Sequence, residues 1–550
     1  MADKVTNSSE INATNIPTSP ARRNLTSALQ MKITPLKFAG LLSAAIVAPA
    51  FFAAPAMADD EDAVYSREVS KKPEVQSQVA AMASGKLKRN ARGTLDRLLL
   101  WNGIMQDSNA LDHTPSSGFA GDQQGPTRNS RAFAIVSIAV FDAVNAFDQR
   151  FSAYNVIAPA PRGASRDAAI AQAAYTTLRA LHPRQVVRLD QLFSSDLSAI
   201  NASPEAVAAG RAVGLASANA ILQRRANDNA NHVEPAFGAG GVIARGATVG
   251  FAGVGAINGG NLAAPNWTPD PVGLPRGVAL GARWGNVTPF VLNSGDQFRV
   301  PPTPTPGTPR FRAGFSDVTA IGADPTVAGS TNGAREQFIG NFWGYDGAAL
   351  LGTPPRLYNQ VAVSIANAKK LRRVDSYARL LALVNTTMAD SGVAAWDGKY
   401  FYNYWRPVTG VRRGGEAGDS TIVNIPAWKP FGASVVNAEV VEAFTPPFPA
   451  YPSGHATFGA ALFESLRDLY PDNTRFTFVS DEYNGAGVDP SGVPRPFVPV
   501  RYRSFQEAQE ENGQSRIFNG VHWEWDSIEG QNMGVNIARF TIDNAFQRRR

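Results

Sequence analysis

Two basic residues near the end of a predicted helix could bind an anion. Lys399 and Arg406 stand seven residues apart in the segment DGKYFYNYWRP. On one helix this spacing places both side chains on nearly the same face, two turns apart. Pro407 predicts that the helix ends at Arg406, because proline disfavours the helical conformation in the residue before it. Surface helices often carry such pairs, so this pair alone is better explained as a solvated face.

The segment FPAYPSGH, followed by an apolar helical run, has the features of an anion-binding helix start. Ser453 suits the N-cap position. The free backbone amides that follow, including that of Gly454, would face an oxyanion, and glycine lets the backbone approach closely. His455 would lie beside the anion, where a proton donor and acceptor is useful. The plainer alternative is a capped helix with an incidental histidine.

A third cluster, SRIFNGVHWEWD, adds a cation and a nitrogen ligand. Arg516 supplies the cation, and His522 supplies a nitrogen that can bond the central atom of an oxyanion. Asp526, four residues further on, could accept a hydrogen bond from the imidazole and orient it. Alone, this cluster is better explained as a helix with an exposed arginine and a packed histidine. The chain has five histidines and two of them lie in these clusters, so the three clusters together favour one oxyanion site.

Helical patterns on both sides of these clusters predict the elements that position them. In the first half they cover Asn129–Phe147, which is apolar nearly all round, Arg166–Leu181 and Pro204–Arg225. Asp142 lies inside the apolar helix and therefore needs a buried partner. In the second half the helical segments are Leu357–Leu371, Ser376–Arg406 and Ser453–Leu469. Strand-like alternation is rare, so we predict an all-α fold of two helical bundles.

The composition divides the chain into five parts. Between the bundles, residues 236–334 are rich in glycine and proline and predict loop with short strands. The glycines there lack the strand–helix pair and the Gly-Lys-Ser/Thr ending of a phosphate-binding loop. The predicted parts are an export signal (1–58), a polar segment (59–94), a first helical bundle (95–235), the connecting region (236–334) and a second bundle with the oxyanion site (335–550).

The N-terminal 58 residues predict export to the periplasm or the medium. Residues 38–58 are apolar, follow two lysines and end in Ala56-Met57-Ala58, which is typical of a signal peptide and its cleavage site. Met31 is an alternative start. A membrane anchor is the other interpretation, but two prolines interrupt the run and it is short for a span. We expect no later segment to be long and apolar enough to cross a bilayer.

Charge and cysteine content exclude several classes of site. The chain has 550 residues, a net charge of +6 and 18% charged residues, a mild basic bias that suits anionic ligands without indicating nucleic acid. It has no cysteine, which excludes disulfides, zinc–thiolate sites, iron–sulfur clusters and cysteine nucleophiles. Nothing in the sequence predicts an oligomeric state.

The clusters match Lys-x6-Arg-Pro, Pro-Ser-Gly-His and Ser-Arg-x5-His-x3-Asp in this order. This composite resembles the signature of the vanadium haloperoxidases and of the phosphatidic-acid-phosphatase-type acid phosphatases. The segments FPAYPSGHATFG (448–459), FWGYDG (342–347) and TPPRLYNQ (353–360) resemble the fungal chloroperoxidase branch. The resemblance covers roughly residues 95–545 and is strongest after residue 335.

The resemblance implies a vanadate cofactor and a role for each residue of the clusters. His522 would coordinate vanadium through one ring nitrogen, and His455 would be the acid–base residue that helps peroxide bind and water leave. The residues that would hydrogen-bond the vanadate oxygens are Lys399, Arg406, Ser453, Gly454 and Arg516. Lys399 would also polarise the bound peroxide.

Three further positions follow from the same resemblance. Trp396 and Phe448 match the aromatic residues that lie beside the halide site in that family, and Asp346 would pair with Arg516. Asp526 would support His522. Phenylalanine at position 448 is typical of the chloroperoxidase branch, whereas bromoperoxidase-like members have histidine there.

The function implied is a vanadium-dependent haloperoxidase that uses hydrogen peroxide to oxidise chloride and/or bromide to hypohalous acid. An organic acceptor is left open, and neither nucleic acid nor stable membrane insertion is expected. The first alternative is an exported acid phosphatase that uses the same pocket with His522 as nucleophile. The second alternative is a non-catalytic helical anion-binding protein.

Overall fold

The computed structural model describes residues 69–84, 91–237, 264–272, 278–439 and 444–549. The predicted export signal lies outside these residues, and so does most of the glycine-rich part of the connecting region. All the described residues belong to one unit, Phe51–Arg550.

Helices dominate the described residues, and the prediction of an all-α, helical-bundle fold is confirmed. In the first half the helices are α1 (Pro73–Ala83), α2 (Thr94–Asp112), α3 (Gly125–Asp148), α4 (Arg166–Leu181), α5 (Val186–Ser198) and α6 (Pro204–Arg224). In the second half they are α7 (Pro309–Ile321), α8 (Ala334–Phe342), α9 (Pro354–Ala368), α10 (Val374–Tyr402), α11 (Pro407–Gly410), α12 (Gly454–Arg467), α13 (Phe505–Phe518) and α14 (Glu524–Asn544). Strands β1 (Phe476–Phe478) and β2 (Val500–Tyr502) form one short antiparallel pair.

Helix α3 is buried along nearly its whole length and packs against α4, α6 and α10. Its apolar residues recur on every face, which suits a helix surrounded by others. Asp142, within this helix, has buried hydrogen-bond partners, as we predicted from the sequence. Its two carboxylate oxygens accept the backbone N–H groups of Tyr154 and Asn155 at 2.8 Å each. Burial raises the pKa of Asp142 to about 7.

One expectation about membrane spans was wrong. Within the described ranges, α3 is long and apolar enough by length and composition to cross a bilayer, although we expected no such segment after the leader. In the fold, 89% of its apolar window is buried inside the protein. Hydropathy alone does not separate a core helix from a membrane helix, because both are apolar on all sides.

The long helix α10 connects the halves of the core. One side packs against α3 and another against α12, while α12 packs in turn against α14. The α12–α14 contact is close because small residues face each other there. A Cβ added at Gly534 would lie 2.2 Å from the carbonyl oxygen of Thr457 and 3.0 Å from the Cβ of Ala460. This contact holds α12, whose N-terminus carries the Pro-Ser-Gly-His motif, in place.

Helix α7 lies inside the connecting region that the sequence predicted as loop, so that prediction was wrong for residues 309–321. The helix starts at Pro309, and the side chain of Thr308 accepts a hydrogen bond from the backbone N–H of Phe311. A threonine N-cap followed by proline at the first helical position marks a helix start, because proline has no N–H to lose there. The neighbouring prolines obscured this signal.

Lys399 and Arg406 are not on one helix, contrary to the sequence prediction. Helix α10 ends at Tyr402, and Asn403 follows with φ of 47° and donates its N–H to the carbonyl oxygen of Lys399. Arg406 is extended, with φ of −80° and ψ of 158°, as is usual before proline. The chain turns four residues earlier than expected because the segment after Tyr402 pairs with residues 265–267.

We predict that Gly534→Ala lowers the free energy of unfolding by about 1–3 kcal/mol, because the new methyl group overpacks the α12–α14 contact. The gain in helix propensity from Gly to Ala, about 1 kcal/mol, opposes this effect without cancelling it. Denaturant unfolding measures the change. Asn532→Ala, at an exposed position on the same helix, is the control and should change the value by less than about 0.5 kcal/mol. Equal stability of the two variants would contradict the close packing.

Candidate active site

The three motif clusters meet at one cavity at the N-terminus of α12. The cavity volume is about 10 Å³, near the minimum that holds one water molecule. The residues that line it are Pro126, Asp346, Pro354, Trp396, Pro446, Phe448, Gly454, His455, Phe458, Arg516 and His522. Lys399 and Arg406 lie behind this lining. All three cations of the clusters are fully buried.

Lys399 is held by the loop that leads into α12. Its Nζ donates to the carbonyl oxygens of Pro449, Ala450 and Pro452 at 3.0, 2.9 and 2.6 Å. Three acceptors match the three N–H groups of an ammonium ion. Burial, with the Arg406 guanidinium nearby, lowers the pKa of Lys399 well below its usual value. A bound anion would stabilise the protonated, positively charged form of Lys399.

Arg406 is held between the same loop and the segment before α14. Its Nε donates to the carbonyl oxygens of Pro446 and Phe448, both at 2.9 Å, and its Nη1 donates to that of Val521 at 2.8 Å. The same Nη1 lies 3.5 Å from Nε2 of His522. The Arg406 guanidinium therefore contacts both the loop and His522, the histidine that the family resemblance implied as the vanadium ligand.

Arg516 pairs with Asp346. Its Nη1 and Nη2 donate to the two carboxylate oxygens at 3.0 and 2.9 Å, and both side chains are fully buried. Nε, the third nitrogen of the guanidinium, is buried and has no hydrogen-bond partner among the described residues. A buried charged donor without an acceptor is unfavourable, so this N–H suits a ligand that brings an acceptor oxygen.

Ser453 is the N-cap of α12, as the sequence predicted. Its Oγ accepts from the backbone N–H of Ala456 at 3.4 Å, and its own N–H donates to the carbonyl oxygen of Asp526. Gly454 begins the helix beside Trp396, where an added Cβ would lie 3.2 Å from the indole ring. Glycine is thus the residue that fits between this helix start and the aromatic wall, and the first turn of α12 opens onto the cavity.

His522 is oriented by Asp526. Its Nε2 faces Nη1 of Arg406, which can only donate, so Nε2 carries the lone pair. Its Nδ1 therefore carries the proton and donates to Oδ2 of Asp526 at 2.9 Å. Burial, followed by the charge of Arg406, lowers the pKa of His522 well below its usual value. The imidazole is therefore neutral and able to act as a ligand.

His455 lines the cavity as a second neutral histidine. Its Nε2 lies 2.7 Å from the carbonyl oxygen of Gly344, which identifies Nε2 as the donor, and 4.0 Å from Oδ1 of Asp346. Burial, followed by the charge of Arg516, lowers the pKa of His455 to about 3. Because the pKa is lowered, the ring stays in its basic form from neutral pH down to about pH 3 and can accept a proton at Nδ1.

Trp396 and Phe448 form the apolar wall of the cavity. Their ring centroids are 4.8 Å apart. The Nζ of Lys399 lies 5.5 Å from the Trp396 ring and 5.1 Å from the Phe448 ring, and Cζ of Arg406 lies 4.9 Å from the Phe448 ring. These rings exclude water from one side of the cations and stabilise the positive charges through their π faces.

The sequence analysis missed several residues that hold the site together. The carbonyl oxygen of His455 accepts hydrogen bonds from Oη of Tyr358 and Nδ2 of Asn512, both at 3.0 Å. Asn512 precedes Arg516 by four residues on α13, so the two lie on the same face of the helix. This spacing could have identified Asn512 as a neighbour of the site. Tyr358 lies in a segment quoted for the resemblance. Gly344 acts through its carbonyl oxygen, for which the sequence carried no signal.

Comparison with known proteins finds relatives for part of the chain. The family model described as the VCPO second helical-bundle domain matches residues 379–549. The vanadium chloroperoxidase of Curvularia inaequalis is 36% identical over 244 residues, 37% of this chain, and the match spans 39% of that relative's length. Over this part of its length the chain is similar to the vanadium haloperoxidases.

Solved structures in this haloperoxidase family share the fold. The first bacterial vanadium-dependent iodoperoxidase gives a TM-score of 0.60 at 22% identity, over 81% of this chain and 96% of that one. The holo-type bacterial vanadium-dependent chloroperoxidase gives a TM-score of 0.54 at 16% sequence identity. That comparison covers 76% of this chain and 92% of that one. At these identities the likeness concerns the fold, which extends well beyond the segment that the family model matches.

We predict that Asp346→Ala lowers the free energy of unfolding by about 3–5 kcal/mol, because it leaves Arg516 buried and unpaired. Denaturant unfolding of the protein without added vanadate measures the change. Glu439→Ala, which breaks the exposed pair with Lys71, is the matched control and should change stability by less than about 1 kcal/mol. A loss for Asp346→Ala no larger than that of the control would show that Arg516 needs no buried counter-charge.

Proposed function

We propose that this protein is a vanadium haloperoxidase, which binds vanadate and uses hydrogen peroxide to oxidise halide to hypohalous acid. The observation that carries the proposal is the meeting of Lys399, Arg406, Arg516 and a neutral His522 at one buried cavity. The names of the relatives support it, since one is a vanadium chloroperoxidase and another a vanadium-dependent iodoperoxidase.

The residues at the cavity fit a vanadate ion. Arg516 has a buried Nε–H without an acceptor, and His522 offers a lone pair at Nε2. The first turn of α12 adds backbone amides. The residues that would hydrogen-bond the vanadate oxygens are Lys399, Arg406, Ser453, Gly454 and Arg516, while His522 would coordinate vanadium. Bound there, vanadate would act as a Lewis acid of constant oxidation state that activates peroxide toward halide.

His455 is the proton carrier of the proposed reaction. Its Nε2 donates to the carbonyl oxygen of Gly344, so Nδ1 is the atom that takes a proton from incoming hydrogen peroxide and returns it to the leaving water. Burial keeps the ring neutral and basic before peroxide arrives. Lys399 polarises the bound peroxide, because its charge acts in a space that Trp396 and Phe448 keep dry.

A phosphatase is the second candidate, and the neutral His522 beside Arg406 is the observation that favours it. A neutral imidazole near cations is what an attack on a phosphoryl group requires. An organic phosphate would need room for its organic group, and the aromatic wall of Trp396 and Phe448 argues against that. A non-catalytic anion-binding protein would not need His455, because that ring is not required to hold an anion.

We predict that His522→Ala abolishes tight vanadate binding and halide oxidation, because the side chain supplies the protein's bond to vanadium. His455→Ala should retain vanadate binding and lose about 10²–10⁴-fold in halide oxidation, the usual contribution of a general acid–base group. Equilibrium dialysis with orthovanadate and a bromide–peroxide assay measure the two effects. Hydrolysis of p-nitrophenyl phosphate, measured in parallel, tests the phosphatase candidate.

The two variants serve as controls for each other, because both histidines are buried at the same cavity. Circular dichroism should show the helical content of the parent in each. Unchanged vanadate affinity in His522→Ala would show that this residue only packs. Phosphate hydrolysis without vanadate-dependent halide oxidation in the parent protein would favour the phosphatase.

We predict that the enzyme oxidises chloride at acidic pH and also accepts bromide, and that Phe448→His weakens chloride oxidation more than bromide oxidation. Chloride is harder to oxidise, so it needs the stronger polarisation by Lys399 that an apolar neighbour provides. Halogenation of a phenolic dye at several pH values with each halide measures this. Bromide activity without chloride activity at every pH tested would contradict a role of Phe448 in halide choice.

Export remains a prediction from the sequence. The apolar run at 38–58 with its Ala-x-Ala ending supports it. We propose a periplasmic or secreted location for the mature enzyme, which would release hypohalous acid outside the cytoplasm.

A further inference from the structure

Two carboxylates and an imidazole meet at a second buried place, in the first half of the chain. Asp112 is the last residue of α2, Asp122 lies in the loop before α3, and His182 follows the end of α4. One ligand atom from each lies within 4.8 Å of the others, and all three residues are buried. None of them belongs to the oxyanion cavity.

His182 lacks the hydrogen-bond partner that a buried imidazole normally has. Its Nδ1 is buried and makes no hydrogen bond to any described residue, and the whole residue is 1% exposed. A buried imidazole with an unpartnered ring nitrogen is available as a metal ligand.

The carboxylates are held in place by backbone groups. Asp112 accepts the N–H groups of Asp122 and Gln123 at 2.7 Å each, and Oδ2 of Asp122 accepts the N–H of Arg184 at 3.0 Å. The half-exposed Arg184 side chain lies beside this group, with its Nε 3.8 Å from Oδ1 of Asp122.

We propose that Asp112, Asp122 and His182 form a binding site for one divalent transition-metal ion, with Zn²⁺ as its representative. One nitrogen and two carboxylate oxygens are a common ligand set for zinc, and two carboxylates balance its charge. With bonds of about 2.0–2.2 Å, three ligands on one ion are at most about 3.8 Å apart from one another. The side chains therefore need to close by up to about 1 Å, and water completes the coordination.

A cleft gives an ion access to this site. It has a volume of about 80 Å³ and reaches Asp122, Gln123 and Leu181, the residue before His182. The ion would tie the end of α2 and the end of α4 to the loop that leads into α3. Pro126, in the first turn of α3, lines the oxyanion cavity. The site would therefore stabilise the scaffold on that side of the active site.

The test is zinc titration of the full, vanadate-loaded protein after chelator treatment, in competition with a chromophoric chelator. Vanadate keeps His455 and His522 occupied. We expect one equivalent of zinc per chain and a higher Tm in its presence, because an ion that binds the folded form stabilises it. His182→Gln should lose zinc affinity by about 100-fold or more, beyond the effect of losing a residue that only supports a ligand.

Two further variants make the result specific. His232→Gln, at a histidine outside the cluster, is the matched control and should bind zinc like the parent. Asp122→Asn keeps an oxygen acceptor for the N–H of Arg184 and should lose zinc as His182→Gln does. Anomalous scattering at the zinc edge from crystals of the parent locates the ion independently of any variant. No saturable binding, equal binding by His182→Gln, or zinc located elsewhere would overturn the proposal.

Discussion

The structure depends on burying Lys399, Arg406 and Arg516 around one cavity. Among the described residues that line this cavity, Asp346 is the carboxylate that opposes them. Backbone carbonyls of the loop before α12 and of Val521 supply most of the remaining acceptors. Carbonyl dipoles hold a cation in position without neutralising it, so the cavity keeps a positive potential that favours an anion. A neutral His522 is a consequence of that potential, since the same cations and burial disfavour its protonated form.

The rest of the fold keeps this loop and its cations from rearranging. Helix α10 carries Trp396 and Lys399 and is packed between α3 and α12, so both side chains project from a rigid core element. The α12–α14 contact fixes the distance between the helix start at Gly454 and the segment that carries His522. The cavity therefore depends on a large helical scaffold, although few side chains line it.

The structure brings the predicted site residues together, but it connects them differently from the sequence prediction. Motif spacing identified the three cations, the helix start and both histidines, because each occupies a local signature. It placed Arg406 on a helix with Lys399, whereas pairing of residues 403–405 with the distant 265–267 ends α10 earlier. Contacts such as Gly344 with His455 join positions more than 100 residues apart and leave no local pattern. Helix α7 was missed for the opposite reason, since its local signal at Thr308 was present but was attributed to a proline-rich loop.

The central claim is that this cationic cavity holds vanadate bonded to His522. A crystal structure of the protein loaded with orthovanadate tests it most directly, with anomalous scattering to locate vanadium. The account predicts one vanadium per chain at bonding distance from Nε2 of His522, with its oxygens on Lys399, Arg406, Arg516 and the first turn of α12. Vanadium at another place, or none at saturating orthovanadate while Lys399 and Arg406 keep their backbone carbonyls and Arg516 keeps Asp346, would contradict it.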